Sequence, residues 1–352
     1  MADNLVDVAN FKIFLNGSEL SKELSVAVTG VVIEDEINLP AMFTIKVDTV
    51  DFLKGAWKGV DLNIFKIGDM VKVLMGIEKM VEMMTGEITS LDFAFGESSF
   101  MEIRGYDGLH KLRFGTKMRS FKDMKDSDIA SSIASDISLT PSVEDSESMH
   151  PYIFQNNQSN YEFLLERAKR IGYEIQVEDK NFIYRKSKEK DTPGITLEFG
   201  KDLQSFSAQI KTLTEGNSVE VRGWNIKNKE VITSTASSGS ETTKMTGKES
   251  GYEMSGSAFA DFKASSVSIV DNTIIDATDA ENIAKAKYNS MLGEFLTGDG
   301  KSIGNPKLKA GKTIEIKGIG ERLSGVYYVI SSVHSIANGV YLTKFKVRRT
   351  GV

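Results

Sequence analysis

The sequence contains no cysteine. Disulfides, thiolate nucleophiles and Cys-ligated zinc are excluded together, and the composition suits folding in a reducing cytoplasm. Histidine is scarce as well. His110, His150 and His334 stand in different elements, none with HExxH or His-x-His spacing, so no metal site is expected. The two tryptophans, Trp57 and Trp224, are too few and too far apart for a sugar- or base-stacking platform. No window approaches the ~20 consecutive apolar residues of a spanning helix. The start, MADNLVDVANFKIFLNG, has neither the basic nor the apolar region of a signal peptide. Direct membrane binding is therefore not expected. Basic charge is also in deficit, with 43 Lys and Arg against 49 Asp and Glu, net −6. That balance gives no electrostatic support for nucleic acid. No G-x-S-x-G elbow supplies a serine nucleophile.

What is present is alternation. Phe11, Ile13 and Leu15 share one face before the turn Asn16-Gly17, and Phe43, Ile45 and Val47 alternate with Thr44, Lys46 and Asp48. Val71 and Val73 flank Lys72, and Met101 and Ile103 alternate with Glu102 and Arg104. One apolar and one polar face suits an antiparallel sheet or a barrel wall. Residues 1–115 thus read as a first β-barrel domain. Residues 116–192 change character to an α+β insert. Ile129, Ile133 and Ile137 recur at helical spacing, and Ser159 with Glu162 forms a capping box before the stripe Tyr161, Leu164, Leu165, Ala168 and Ile171. Strands return in 193–352, read as a second β-barrel domain. Within it, the Ser/Thr/Gly-rich stretch 232–257 is expected as a long exposed loop. A helix is expected over 278–292, opened by the box Thr278-Asp279-Ala280-Glu281. The fold class is mainly β with an α+β insert and two related barrels in one chain.

The relation between the barrels is read from a repeat. Phe65-Lys66-Ile67-Gly68-Asp69-Met70-Val71-Lys72-Val73 matches Leu308-Lys309-Ala310-Gly311-Lys312-Thr313-Ile314-Glu315-Ile316. A second small-Gly step follows each, Thr85-Gly86 and Ser324-Gly325, and the last strands pair Met101–Arg104 with Phe345–Arg348. The phrase Ile103-Arg104-Gly105-Tyr106-Asp107 recurs as Val221-Arg222-Gly223-Trp224-Asn225. Duplication across some forty residues is the reading that order of features favours.

One stretch imitates a nucleotide site. Gly298-Asp299-Gly300-Lys301-Ser302 ends in the Gly-Lys-Ser of a phosphate loop, but Phe295 stands where the first glycine belongs. Ile303-Gly304-Asn305-Pro306 cannot open a helix at Lys301, so the stretch is expected as a loop leaving the helix near Leu292. Glu34-Asp35-Glu36 is expected as a solvated strand edge, and His334 as an ordinary barrel-wall histidine. No catalytic, metal or cofactor-binding residue is expected, and the chain is not read as an enzyme.

Several runs resemble one family. Gly304-Asn305-Pro306-Lys307-Leu308, then Gly311, Ser324-Gly325-Val326-Tyr327-Tyr328-Val329, Val333-His334 and Tyr341-Leu342-Thr343 are similar to the C-terminal signature of contractile-tail hub proteins. These are the phage late control protein D family and the hub portion of type VI valine-glycine-repeat spike proteins. Gln158–Leu164 with Ala168 and Ile171-Gly172 resembles that family's central helix, with Asn160 for the usual Asp. Val221–Asn225 resembles its V-x-G-W-D phrase, with Asn225 for Asp.

The resemblance implies a homotrimer whose six barrels form a pseudo-sixfold ring, adapting a hexameric tail-tube protein to a trimeric spike. It implies other baseplate proteins as partners, synthesis in the bacterial cytoplasm and assembly into a phage baseplate or injection particle. Gly68, Gly86, Gly304, Asn305, Pro306, Gly311 and Gly325 are then structural turn and repeat residues. Arg348 and Arg349 become spike-junction contacts, with the spike either a separate chain or a removed extension. The alternative from another class is a tail-associated carbohydrate-binding or cell-wall-degrading β-barrel module.

Overall fold

A computed structural model describes residues 10–51, 56–57, 62–96, 99–225, 228–271 and 273–352. Residues 1–9, read above for a leader, lie outside them, as does the side chain of Trp57. The protein is mainly β. Its alternating segments become strands of one large sheet, because each must bury its apolar row and satisfy its backbone groups at the same time.

In the first half, Val28–Glu36 pairs with Met42–Asp48, and that strand pairs with Phe100–Tyr106. Phe100–Tyr106 then pairs with Val81–Ala94, Val81–Ala94 with Met70–Gly76, and Met70–Gly76 with Asn10–Leu15. In the second half, Leu203–Ile210 pairs with Leu296–Ile303, which pairs with Val340–Arg349. Val340–Arg349 pairs with Gly325–Ala337, and Gly325–Ala337 with Thr313–Lys317. Each half thus has the same order of strands. The halves differ at the far strand, where Thr196–Glu198 runs parallel to Thr313–Lys317 but Asn10–Leu15 runs antiparallel to Met70–Gly76.

The equivalence extends to irregularities. Register shifts fall between Val28 and Gly30 and between Leu203 and Ser205, in corresponding strands. A second corresponding pair falls between Ile88 and Ser90 and between Val329 and Ser331. β-Bulges are specific local features rather than incidental defects, so two matched bulges are a strong mark of common construction.

The pairing also corrects the repeat. Gly86 faces Val71 whereas Gly325 faces Ile316, so the two glycines are not equivalent positions; Gly86 corresponds to Tyr327. Ile103 corresponds to Phe345, two residues from the sequence alignment but on the same face. The Val221–Asn225 phrase lies in a separate three-stranded sheet of Ser218–Asn225, Glu230–Ala236 and Ser266–Val270, outside the duplicated unit.

Each half has its own core. Val31, Ile33, Phe43, Ile45, Val71 and Ile103 build the first, joined by Ile336 and Tyr341 from the second half. Leu203, Leu296, Ile314, Tyr327 and Val347 build the second. Full burial of such side chains contributes about 1.5–3 kcal/mol apiece.

The insert has a third core around Leu109, Ile129, Ile133, Leu164 and Tyr184. Its helices are Asp126–Asp136 and Asn160–Arg170. The second starts at the capping box read from the sequence: Glu162 N–H donates to Ser159 Oγ at 3.1 Å, and Ser159 N–H donates to Glu162 Oε2 at 2.9 Å.

Three expectations change. The stretch 232–257 is not a long loop: Glu230–Ala236 is a strand, and Gly251–Ala258 is a helix capped by Ser250 and Glu253. Tyr252 stacks on Tyr288 with centroids 4.0 Å apart, which supplies the apolar anchor that composition hides. The later helix is Ala277–Leu292, and its cap is Asp276 rather than the Thr278 box, with Asp279 N–H donating to Asp276 Oδ1 at 2.7 Å. Finally, Leu296–Ile303 is a strand paired on both sides, not a loop.

Candidate functional site

Leu296–Ile303 becomes a strand despite its glycines because aromatic rings lie on them. A Cβ at Gly300 would stand 2.1 Å from the Phe345 ring, and one at Gly298 would stand 2.6 Å from the Phe206 ring. At Gly304 the Tyr341 ring would be 2.0 Å away. Glycine in a strand often marks such a close approach. The Gly-Lys-Ser residues therefore sit in a central strand, with no helix N-terminus to receive a phosphate.

Past Gly304 the chain enters the seam between the halves. Gly304 N–H donates to the Tyr341 carbonyl at 3.0 Å, Asn305 N–H to Thr343 Oγ1 at 3.0 Å, and Lys307 N–H to Asn305 Oδ1 at 3.0 Å. Pro306 lies inside this turn. His334, 1% exposed, closes the network: Nε2 lies 2.8 Å from the Leu308 carbonyl, and Nδ1 lies 2.9 Å from Tyr341 Oη and 3.1 Å from Thr343 Oγ1. A carbonyl only accepts, so Nε2 carries the proton and Nδ1 is the acceptor facing the two hydroxyls. Both ring nitrogens are occupied, leaving none for a metal or a substrate proton. The family-like runs around Asn305, His334 and Tyr341–Thr343 are thus parts of one bonded cluster.

The segment then crosses to the first half. Lys309 Nζ donates to the carbonyls of Glu82 (3.4 Å) and Met83 (3.2 Å), and Ala310 N–H donates to Asp35 Oδ2 at 3.1 Å. Gly68 and Gly311 make their turns at φ 91° and 72°, where a side chain would be strained. Val28–Glu36 is no solvated edge, since it pairs with Met42–Asp48 on one side and Gly325–Ala337 on the other. Glu34 and Glu36 point to solvent as alternation requires, while Asp35 faces a cavity of about 370 Å³ shared with Asp107, Lys309 and His334.

Burial pushes Asp35 up to about 6 and Asp107 up to about 7, against the N–H groups that each accepts. Asp107 spends one oxygen on Ala41 N–H (3.1 Å) and the other on Leu109 N–H (2.9 Å). Burial drives His334 the other way, down to about 4. For the two carboxyls the folded value exceeds the unfolded one of about 3.9. Their contribution to stability is full below about pH 4 and is lost as pH rises through 6 and 7. The histidine contributes above about pH 6.5 and loses that contribution as pH falls through 4. Asp35→Asn, which keeps an acceptor for Ala310 N–H, is expected to flatten the loss between pH 4 and 6 in urea unfolding. An unchanged pH slope would refute this account.

The remaining residues singled out in the sequence are also placed. Arg348 Nε donates to Glu189 Oε1 at 2.7 Å, and its guanidinium lies over the Tyr328 ring. Arg349, 2% exposed, donates through Nη1 to the carbonyls of Leu323 (3.3 Å) and Ser324 (3.2 Å). Both guanidinium groups are engaged within the chain. Gly86 lies against the Tyr106 carbonyl, and Gly325 takes φ 144° at the start of its strand. Sequence reasoning named Asp35 in an acidic run, Asp107 in a recurring phrase and Lys309 in the repeat, but it did not bring them together. Among the described residues no group of three or more acidic or histidine side chains could hold a metal.

A family match spans most of the chain: the family model described as "Alg8 N-terminal domain" covers residues 5–338. The chain belongs to the Alg8 N-terminal domain family. No curated protein matches it. Among solved structures, this Alg8 N-terminal domain chain is similar to the 43 kDa tail protein of prophage MuSo2 from Shewanella oneidensis. The TM-score is 0.72 at 13% identity, over 97% of this chain and 98% of that one. A tail protein from Neisseria meningitidis MC58 gives 0.66 at 11% identity, over 97% of each chain. The E. coli c3393 protein gives 0.62 at 10% identity, over 97% of this chain and 77% of that one. It is described as a type VI secretion component with structural similarity to the T4 tail proteins gp27 and gp5. At these identities the likeness is one of fold. This chain shares the fold of those tail proteins.

Proposed function

We propose that the chain is the central hub of a phage tail or type VI-like injection machine. It acts as a homotrimer whose six sheet-bearing halves form a pseudo-sixfold ring between a hexameric tube and a trimeric spike. The observation that carries this reading is the duplication with bulges at matched positions. One chain offers two equivalent halves of one sheet, so three chains offer six such halves. The names of the similar structures, tail proteins and a type VI component, support the same setting.

The domain reading 1–115, 116–192 and 193–352 belongs to this proposal, as do tube, spike and other baseplate proteins as partners. Arg348 and Arg349 contribute to a spike seat by bracing the last strand from within. The chemistry of this reading is assembly rather than catalysis; Asp107 and His334 spend their polar atoms on the fold. Light scattering is expected to return three times the 38.8 kDa chain mass. A monomer persisting at high concentration would overturn the hub reading.

A further inference from the structure

The chain has two Asn-Gly pairs, Asn16-Gly17 and Asn338-Gly339. Both make the same turn. The pair Leu15–Ser18 closes the first as a two-residue loop, and Ala337–Val340 closes the second. The φ angles are 50° and 87° in one, and 51° and 75° in the other. Two successive positive values mark the type I′ hairpin turn, which favours Asn-Gly. All of these Asn and Gly residues are exposed. The carboxamides differ. Asn16 Oδ1 accepts from Met70 N–H at 2.9 Å, and its Nδ2 donates to Asp69 Oδ1 at 2.9 Å. Among the described residues no hydrogen bond holds the Asn338 carboxamide. The two sites match in sequence, turn and exposure, and differ in the anchoring of the side chain.

We propose that Asn338 is a site of spontaneous isoaspartate formation, and that the change loosens the joint between the two halves. The Gly339 main-chain nitrogen attacks Asn338 Cγ, and the Cγ–Nδ2 bond breaks. The proton of the attacking nitrogen leaves with the departing group, which is released as ammonia. A succinimide remains, and water adds to one of its two carbonyl carbons. Addition at Cγ breaks the new bond to Gly339 and gives aspartate. Addition at the main-chain carbon gives isoaspartate, with the chain now routed through the side chain. Water enters and ammonia leaves, and nothing is oxidised or reduced. Glycine suits the step because no Cβ hinders the approach of its nitrogen. At Asn16 the two carboxamide bonds must break before Cγ can turn to meet the nitrogen.

Isoaspartate adds an atom to the main chain of a loop that is only two residues long. The length of such a loop fixes the register of the strands it joins. The pairs that follow are Ile336–Tyr341 and His334–Thr343. Ile336 and Tyr341 are each 3% exposed and lie in the first core, although their strands belong to the second half. Ile336 and Ala337 also pair with Val31 and Gly30 of the first half. The lengthened loop therefore acts on the residues that hold the halves together. An exposed carboxamide becomes a slow covalent timer on a buried contact.

The test needs a single chain and does not depend on the hub reading. The native protein is incubated in mildly alkaline buffer, and its peptides are mapped by mass spectrometry. Asn338 is expected to convert about tenfold faster than Asn16, which two hydrogen bonds restrain. In urea the two are expected to convert at similar rates. Equal rates in the native protein, or a difference that persists in urea, overturn the assignment. The isoaspartyl form, separated from its parent, is expected to unfold at a lower urea concentration. Asn338→Gly keeps the positive φ without a carboxamide, and after the same incubation it should keep its unfolding curve. An isoaspartyl form as stable as its parent, or an equal loss in Asn338→Gly, overturns the effect on the joint.

Discussion

Alanine at Gly300 is expected to lower the folding free energy by about 3 kcal/mol, the upper part of the range for overpacking a filled core. The added methyl would sit 2.1 Å from the Phe345 ring, which is 3% exposed and held in the second core. The strand cannot yield, because it is hydrogen-bonded to neighbours on both sides. Gly194 is the control: a Cβ there meets nothing within 4 Å, so Gly194→Ala should shift stability by less than about 0.5 kcal/mol. Urea unfolding with the m-value held constant separates the two. A loss below about 1 kcal/mol at Gly300 would mean the ring can move aside.

A larger loss is expected at the contact between the insert and the second half. Arg170 clamps Asp279 through two bonds, Nη1 to Oδ1 at 2.5 Å and Nη2 to Oδ2 at 2.7 Å. The side chains are 13% and 1% exposed. Asp279→Ala leaves a buried guanidinium without its anion, which costs about 3–5 kcal/mol. The pair as a whole is worth less than that, since both ions were desolvated to make it. Arg170→Met combined with Asp279→Leu should therefore recover most of the stability. Urea unfolding of the single and double variants tests this. If the double variant is as unstable as Asp279→Ala, the loss does not come from an orphaned charge.

The fold was legible wherever the signal was local. Ser159 and Glu162 announced their helix because a capping box needs only residues three apart. Phe43, Ile45 and Val47 announced a strand because one sheet face is buried. The same rule could have found the helix Gly251–Ala258, since Ser250 and Glu253 stand at box spacing. It was hidden by a composition of small polar residues whose anchor, Tyr288, lies far along the chain. Leu296–Ile303 failed for a related reason. Its glycines read as a turn until Phe206 and Phe345 arrive from other strands to cover them. At the site, the run from Gly304 to Gly311 was legible as a motif, yet Asp35 and Asp107 were not. Their setting is made by segments far apart in the chain, around Ile33, Met83, Val177 and Ala310, that meet at one cavity. The bulges could not be seen at all, because a register shift exists only once strands are paired.

The hydrogen-bonded cluster at the seam has a consequence for ionic strength. Asn305, Leu308, His334, Tyr341 and Thr343 meet through neutral donors and acceptors, with His334 held uncharged by its burial. The screening length of dissolved ions is about 10 Å at 0.1 M and shortens as salt rises, so an exposed pair such as Lys248–Glu321, with side chains 86% and 90% exposed, weakens in concentrated salt. The neutral cluster offers those ions nothing to screen. Added salt would weaken such exposed pairs and leave this cluster within the second half as tight as before.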